Sequence, residues 1–194
     1  MRDATLVESK LAGDPHTFRL LEAMEQELAS LPSAPQDQGS VAMLMRRLQG
    51  GVRELLPEIV LDRERGVPGD KWGRGTDRDP EAQIAVMQLD LAELIANGQS
   101  LTLFGDCMIL DLDLSAANLP VGSRVRAGKA LLEVTPKAHN GCSKFHSRFG
   151  EDALKLVWKP ELRHRNLRGI YLRVMEPGEV KKGDPVEVVF RNRP

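Results

Sequence analysis

The feature that most restricts the fold is a repeated alternation of short β-rich runs and tight turns from Leu119 onward. The run LPVGSRVRAGKALLEVT breaks at Gly122 and Gly128 and ends in residues with high strand propensity. The later run IYLRVMEPGEVKKGDPVEVVF repeats the pattern, with turns at Pro177-Gly178 and Gly183-Asp184. Short strands joined by close turns favour a barrel over an open sheet.

The start of the chain predicts a helix followed by a linker. Asp14-Pro15 is typical of a helix start, because Asp accepts from backbone N–H groups there and Pro fits the first helical position. An apolar stripe at helical spacing follows up to Pro32, made of Phe18, Leu21, Met24, Leu28 and Leu31. The segment PSAPQDQGS at 32–40 is rich in turn residues. We therefore expect an N-terminal helical extension and linker over residues 1–39, and a β-barrel domain over 40–194.

The middle of the chain predicts mixed elements. Asp90 can cap a helix that Asn97-Gly98 closes, and Glu151 with Asp152 favours the start of another helix that runs to about Trp158. We predict strands or extended chain over Val41–Arg46, Val52–Leu61, Ile84–Gln88 and from Met108 to Leu114. The expected class is thus mainly β with α: a closed barrel with a few peripheral helices.

Composition excludes several classes of protein. The formal net charge is -1 and aromatic residues are 4% of the chain, which argues against a nucleic-acid surface. No apolar run approaches the roughly 20 residues of a membrane helix, and MRDATLVESK is no secretory signal. Two cysteines are too few for a disulfide framework, so we expect a cytoplasmic protein with free thiols. A Cys107–Cys142 disulfide stays open as an alternative.

The segment TPKAHNGCSKFHSRFG, residues 135–150, has the most distinctive chemistry. It holds Cys142, and no acidic residue lies between Glu133 and Glu151. Its basic or titratable side chains are Lys137, His139, Lys144, His146 and Arg148. Nearby cations favour a thiolate over a thiol, and a thiolate attacks sulfur or binds a soft metal. The sequence therefore indicates a reactive cysteine in a loop that attracts anions.

Two other stretches have competing interpretations. The glycine-rich segment RERGVPGDKWGRG at 63–75 either forms a second wall of an anion site or is a solvated loop around a buried Trp72. Its basic residues are Arg63, Arg65, Lys71 and Arg74. Asp111 and Asp113 share one strand face, where such pairs are usually solvated rather than metal-binding. Cys107 lies among apolar residues and predicts an inert core thiol.

Four stretches together resemble the molybdenum cofactor sulfurase C-terminal (MOSC) domain family. They are RGVPGDKW at 65–72, LDLDLSAANLPVGSRVRAG at 110–128, VTPKAHNGCSKFHSRFGEDAL at 134–154 and LRGIYLRVMEPGEVKKGDPVEVV at 167–189. The resemblance implies a closed β-barrel with helices at its mouth. It also implies a cleft cysteine, here Cys142, that serves as a molybdenum ligand or sulfur carrier. The pyridoxal-phosphate desulfurase part of the full sulfurase has no counterpart here, which predicts a stand-alone protein without a pyridoxal phosphate site.

The resemblance and the local chemistry combine into one site hypothesis. Cys142 either ligates molybdenum or carries a sulfane sulfur as a persulfide, within a cleft for an anionic pterin, the molybdenum cofactor (molybdopterin). His139 would stabilise the thiolate or move a proton, and Asn140 would contact the polar edge of the cofactor. The phosphate contacts would come from Lys137, Lys144, Arg148 and Arg168. Implied partners are a cysteine desulfurase or a molybdoenzyme, and a homodimer stays open.

Four alternatives differ in chemistry. The chain could be a molybdenum-dependent reductase, or reductase component, acting on N-hydroxylated compounds. His139, Cys142 and His146 could bind zinc for hydrolysis, although this spacing is uncommon for zinc. Cys142 and His139 could form a nucleophile and base for acyl transfer. Finally, the chain could be a non-catalytic binding module. The residues alone do not decide between sulfur transfer, redox catalysis and binding.

Overall fold

The structure is a computed structural model that describes residues 4–8 and 12–193. In these ranges the strands are β1 Thr5–Glu8, β2 Gln38–Arg47, β3 Val52–Leu55, β4 Glu58–Leu61, β5 Ile84–Gln88, β6 Met108–Asp111, β7 Arg124–Ala127, β8 Ala130–Val134, β9 Ile170–Glu176, β10 Gly178–Lys181 and β11 Pro185–Phe190. The helices are α1 Leu21–Ser30, α2 Lys71–Arg74, α3 Leu89–Ala96, α4 Ser143–Phe149 and α5 Glu151–Trp158. Short 3₁₀ turns connect several of them.

Seven strands form a closed barrel. Their order is β2, β11, β7, β8, β9, β5 and β6, and β6 pairs back to β2. The pairing is antiparallel throughout except for β5 with β6, which run parallel. Strands β3 and β1 continue the sheet from the far end of β2, and β4 pairs with β10 in a separate ribbon. The predicted mainly-β barrel with peripheral helices is therefore confirmed.

Two apolar clusters hold this architecture together. The first fills the barrel with alternate strand residues such as Val41, Leu110, Leu132, Leu172 and Val186. The second lies between the helices and the outside of the barrel, where α1, α3, α4 and α5 bury their apolar faces. Burying a Leu or Val side chain completely stabilises the folded state by about 1.5–3 kcal/mol. None of the helices in the described ranges has the length and hydrophobicity to cross a membrane.

The N-terminal helix begins later than its sequence predicts. Asp14 caps only a 3₁₀ turn at Pro15–Thr17, and the backbone is extended at Phe18 and Leu20 before α1 starts. Phe18 leaves the helix to pack over Gly150, where an added Cβ would lie 2.8 Å from its Cδ2 atom. Tertiary packing thus overrides the local capping signal. The apolar stripe is real, because Met24 and Leu28 are buried against the other helices.

The other element predictions mostly hold, with shifted ends. Val41–Arg46 lies in β2, Val52–Leu61 becomes β3 and β4, and Ile84–Gln88 is β5. Helix α3 begins at Leu89, so Asp90 lies inside its first turn rather than at the cap. Strand β6 stops at Asp111, although Leu112 and Leu114 stay buried. The domain division at residues 39 and 40 stays a prediction.

Candidate functional site

A strongly basic cavity lies between the end of β2, the turn at residues 101–105 and the start of α4. Its volume is about 590 Å³. The described residues that line it include no Asp or Glu. They include seven basic side chains, namely Arg47, Arg53, Lys71, Arg74, Lys144, Arg148 and Arg168. A concave surface of one sign concentrates ligands of the opposite sign, so this cavity suits an anion.

Cys142 lies at the edge of this cavity as the residue before α4. Its thiol is free, its side chain is exposed, and its backbone is extended with φ -136°. The preceding residue, Gly141, is tightly packed, because an added Cβ would lie 2.6 Å from Leu154 Cδ1. The indole N–H of Trp158 donates to the Gly141 carbonyl over 3.1 Å. Helix α5 therefore fixes the loop that presents the thiol to the cavity.

Three arginines converge around Gly105. Its backbone has φ +74°, and an added Cβ would lie 3.5 Å from Arg53 Nη2, 3.7 Å from Arg148 Nη1 and 3.9 Å from Arg47 Cδ. Burial, followed by the charges of Arg148 and Arg47, lowers the pKa of Arg53 to about 10. Crowded guanidinium groups raise each other's energy, and a bound oxyanion would relieve that repulsion. We call Arg47, Arg53 and Arg148 the arginine cluster.

Arg148 is the member of the cluster nearest to the thiol along the chain. It is 8% exposed, and its Nη1 donates to the Leu103 carbonyl over 2.8 Å. Its Nε is buried and has no hydrogen-bond partner among the described residues. Burial lowers its pKa, and the negative charge available on Cys142 acts in the opposite direction. A carbonyl is a neutral acceptor, so the charge of Arg148 stays available to a ligand.

A buried polar group lies beside the arginine cluster. Arg168 Nη1 donates to Asp106 Oδ2 over 2.7 Å, and its guanidinium covers the rings of Phe104 and Phe145. Burial raises the pKa of Asp106, and Arg168 opposes that shift. His139 Nε2 lies 3.5 Å from Asp106 Oδ1, and its ring packs on Tyr171. These contacts form a buried polar wall beside the arginine cluster.

His139 is neutral in this environment. Burial, followed by the charges of Arg168 and Arg47, lowers the pKa of His139 well below its usual value. This shift disfavours a charged His139, and the expected roles of His139 in stabilising a thiolate or moving a proton stay predictions. Its Nδ1 and the Asp106 Oδ1 atom are buried without hydrogen-bond partners among the described residues. Such atoms are usually satisfied by water or by a ligand.

The structure brings most of the predicted site residues together. Those that line the cavity are His139, Asn140, Cys142, Lys144, Arg148 and Arg168. Lys137 does not, because it is exposed and pairs with Asp79 over 3.0 Å. The glycine-rich segment is divided: Lys71 and Arg74 line the cavity, whereas Arg63 donates to the Met175 carbonyl and Arg65 faces Asp62. That segment therefore contributes part of a second basic wall.

The competing chemistries of Cys142 are not supported. Within residues 4–8 and 12–193, no group of three or more His, Cys, Asp or Glu side chains is placed to hold a metal ion, which argues against the zinc site of His139, Cys142 and His146. The structure records no hydrogen bond between the described side chains of Cys142 and His139; the His139 side chain is buried, whereas Cys142 is exposed. The alternative disulfide is wrong, because both cysteines are free, with Cys107 buried and Cys142 exposed.

Several important residues were not anticipated from the sequence. Arg47 ends β2 and is held by Asp70 through two hydrogen bonds of 3.0 and 2.6 Å. Arg53 lies in β3, and Asp106 follows the 3₁₀ turn at Leu101–Phe104. The only sequence signal for them is a charge inside or at the end of an apolar run. That signal does not tell which side of a strand faces a cavity.

The comparisons with known proteins agree with this architecture. The family model described as the MOSC domain matches residues 67–187. No curated protein matches the chain. A crystal structure described as a hypothetical protein has 18% sequence identity and a TM-score of 0.58, covering 81% of this chain and 70% of its own.

Two named structures are similar at the same level. The YuaD protein from Bacillus subtilis has 19% identity and a TM-score of 0.56, covering 78% of this chain and 95% of its own. YiiM from Escherichia coli has 19% identity and a TM-score of 0.54, covering 81% of this chain and 72% of its own. At such identities these structures support the fold alone. With the family model matching well over half of the chain, this protein belongs to the MOSC domain family.

Proposed function

We propose that the cavity binds the molybdenum cofactor, an anionic pterin, and that Cys142 is its sulfur ligand or carries a sulfane sulfur toward it. The observation that carries this proposal is the placement of an exposed free thiol at a cavity with seven basic side chains and no described acidic one. The MOSC family is associated with this cofactor. A soft sulfur and a phosphate-binding surface are the two features that such a ligand requires.

The residues present fit the cofactor. The arginine cluster suits the phosphate, because guanidinium groups bind phosphate through paired hydrogen bonds. The unpartnered Nδ1 of His139 and the side chains of Asn140 and Tyr171 line the same cavity and suit a polar ring edge. When bound, the cofactor would supply two-electron redox chemistry at the metal. The chain's own residues would bind and orient it, while Phe104 and Phe149 exclude water from one side of the cavity.

The two roles of Cys142 share one requirement, which is a thiolate open to the cavity. Ligation uses the thiolate as an electron-pair donor to the metal. Carriage uses it as the nucleophile that accepts a sulfur atom. The free thiol of Cys142 is exposed at the cavity, whereas Cys107 is buried. We therefore assign both roles to Cys142.

Native mass spectrometry with metal analysis tests the proposal. The protein would be expressed in cells that make the cofactor and purified at neutral pH. We expect molybdenum, or a reductant-sensitive sulfur adduct, in the wild type and in the control Arg65→Ala, whose side chain lies outside the cavity. We expect its loss in Cys142→Ser and reduced cofactor retention in Arg148→Gln. Equal molybdenum and adduct levels in wild type and Cys142→Ser would contradict the proposal.

A further inference from the structure

The arginine cluster and Cys142 together suggest a source for the sulfur that the thiol would carry. This inference rests on the sulfur-carrying branch of the proposed function. Cys142 precedes α4 and Arg148 lies six residues later on the same helix, so one short element contributes both a nucleophile and a cation. Arg53 and Arg47 meet Arg148 around Gly105. A tetrahedral oxyanion bound there would share the cavity with the thiol.

We propose that Cys142 takes its sulfur from a thiosulfonate-class donor such as thiosulfate, whose oxygen atoms the arginine cluster binds. In this step the Cys142 thiolate attacks the sulfane sulfur of thiosulfate. A new S–S bond forms at Cys142, the S–S bond of thiosulfate breaks, and sulfite leaves with the bonding electron pair. The products are the Cys142 persulfide and sulfite, total charge is conserved, and no external oxidant or reductant is needed.

Burial makes the arginine cluster suitable for this leaving group. Arg53 is 4% exposed and Arg148 is 8% exposed, so their charges act in a medium of lower effective dielectric than water. Negative charge accumulates on the sulfonate oxygens as sulfite departs. Donors fixed before the reaction stabilise such developing charge without reorganising. Arg148 contributes an unpartnered buried Nε as well as its charge.

The sulfonate group of the donor is essential to this inference, because the arginine cluster would bind and stabilise a donor without oxygen atoms only weakly. Hydrogen polysulfide also carries sulfane sulfur but has no oxygen atoms for a guanidinium to bind. If the cluster recognises the donor, persulfide formation from thiosulfate should depend strongly on Arg148, and persulfide formation from polysulfide should not. This contrast separates recognition of the donor from simple reactivity of the thiol.

The test uses reduced, full-length protein incubated with thiosulfate. Released sulfite and a +32 Da adduct, mapped to the peptide that contains Cys142, are measured together. We expect equal amounts of sulfite and adduct in wild type and in Arg65→Ala, and neither in Cys142→Ser. In Arg148→Gln we expect kcat/KM for thiosulfate to fall at least about tenfold, because a charge-assisted hydrogen bond to the sulfonate is lost. Loading from polysulfide should change less than about twofold.

A second measurement covers the case in which Arg148→Gln folds poorly. Sulfate should compete with thiosulfate on the wild type, slowing persulfide formation without slowing loading from polysulfide. Loading from polysulfide alone, with no reaction with thiosulfate, would overturn the donor assignment and leave the carrier function intact. Loss of reaction with both donors in a protein that retains molybdenum would overturn this inference together with sulfur carriage, and would leave metal ligation by Cys142 standing.

Discussion

The barrel interior and the basic cavity are built on opposite principles. The interior buries a cluster of apolar side chains together with the thiol of Cys107. The cavity wall buries Asp106, Arg148 and Arg168, and encloses the His139 side chain. Apolar burial stabilises without directional partners, whereas a buried charge costs several kcal/mol unless it is paired. The barrel thus supplies stability, and the cavity uses some of it to hold charges in place.

The cavity wall contains both paired charges and buried polar atoms that have no hydrogen-bond partner among the described residues. Arg168 is paired with Asp106, and Arg47 is paired with Asp70. Atoms of His139, Asp106, Arg148 and Arg168 are buried without hydrogen-bond partners among the described residues. The paired charges fix the geometry of the wall, and the unpartnered atoms leave polar capacity for a ligand. This contrast sets the order of expected effects in the predictions below.

The largest expected effect is on the paired wall. Asp106→Ala should lower the free energy of unfolding by about 3–5 kcal/mol, because it leaves Arg168 buried without its carboxylate. Urea unfolding followed by circular dichroism measures this change. Asp77→Ala, at an exposed position, serves as the control and should change stability by no more than about 0.5 kcal/mol. Equal stability of the two variants would show that the pair does not hold the wall.

A substitution inside the barrel sharpens the comparison. Leu110→Ala should lower the free energy of unfolding by about 2–5 kcal/mol through lost burial and a cavity. It should leave molybdenum retention per folded molecule unchanged, since Leu110 belongs to the interior cluster and does not line the basic cavity. Metal analysis of the folded fraction tests this. Loss of metal in proportion to stability would mean that the two regions are not separable.

Acid should weaken the cavity wall through His139. Its folded pKa lies well below its usual value, so the unfolded chain binds more protons as pH falls below about 6.5. Stability from this group is therefore present above that pH and is lost at lower pH, by up to about 1.4 kcal/mol per pH unit. His139→Gln should flatten that loss. Unfolding midpoints at pH 7.5, 6 and 5 measure the two slopes; parallel slopes would contradict a buried neutral histidine.

A smaller effect is expected where α5 holds the cysteine loop. Trp158→Phe keeps an aromatic ring but removes the N–H that donates to Gly141. Trp158 is 58% exposed, so the stability loss should be close to the lower end of the usual range of about 0.5–1.5 kcal/mol for a hydrogen bond. Amide exchange in residues 140–143 should become faster while exchange in the barrel strands does not. Unchanged exchange in that loop would show that the contact is not structural.

The smallest effect is expected at Cys107. A soluble alkylating reagent should label one thiol in the native protein, at Cys142, and should label Cys107 only after unfolding. Complete burial raises the pKa of Cys107 to about 12 and blocks access to it. Peptide mapping before and after denaturant distinguishes the sites. Native labelling of Cys107 at a rate comparable to Cys142 would remove the distinction between core and cavity thiols.

The barrel was predictable because its signals are local. The turns at Gly122, Gly128 and Gly183 each lie within a few residues of the alternating strand residues that they connect. The start of α1 was not predictable, because it depends on the packing of Phe18 against Gly150, which is distant in sequence. In the site, the cysteine loop was recognisable by its composition. Composition does not show which of the basic side chains face the cavity. Lys137 turns away to Asp79, while Arg47 and Arg53 reach the cavity only through strand pairing.

Strand β2 joins the two regions in one element. Its first half closes the barrel, with Val41 opposite Leu110 and Ser40 opposite Pro185, and its last residue is Arg47. These closing partners are distant in sequence, so their loop entropy must be overcome before they form. Arg47 continues the same strand and pairs with Arg53 of β3, so the ring and the arginine cluster share one element. An oxyanion bound to the arginine cluster would therefore favour the closed ring by mass action, and ligand affinity would report on barrel closure.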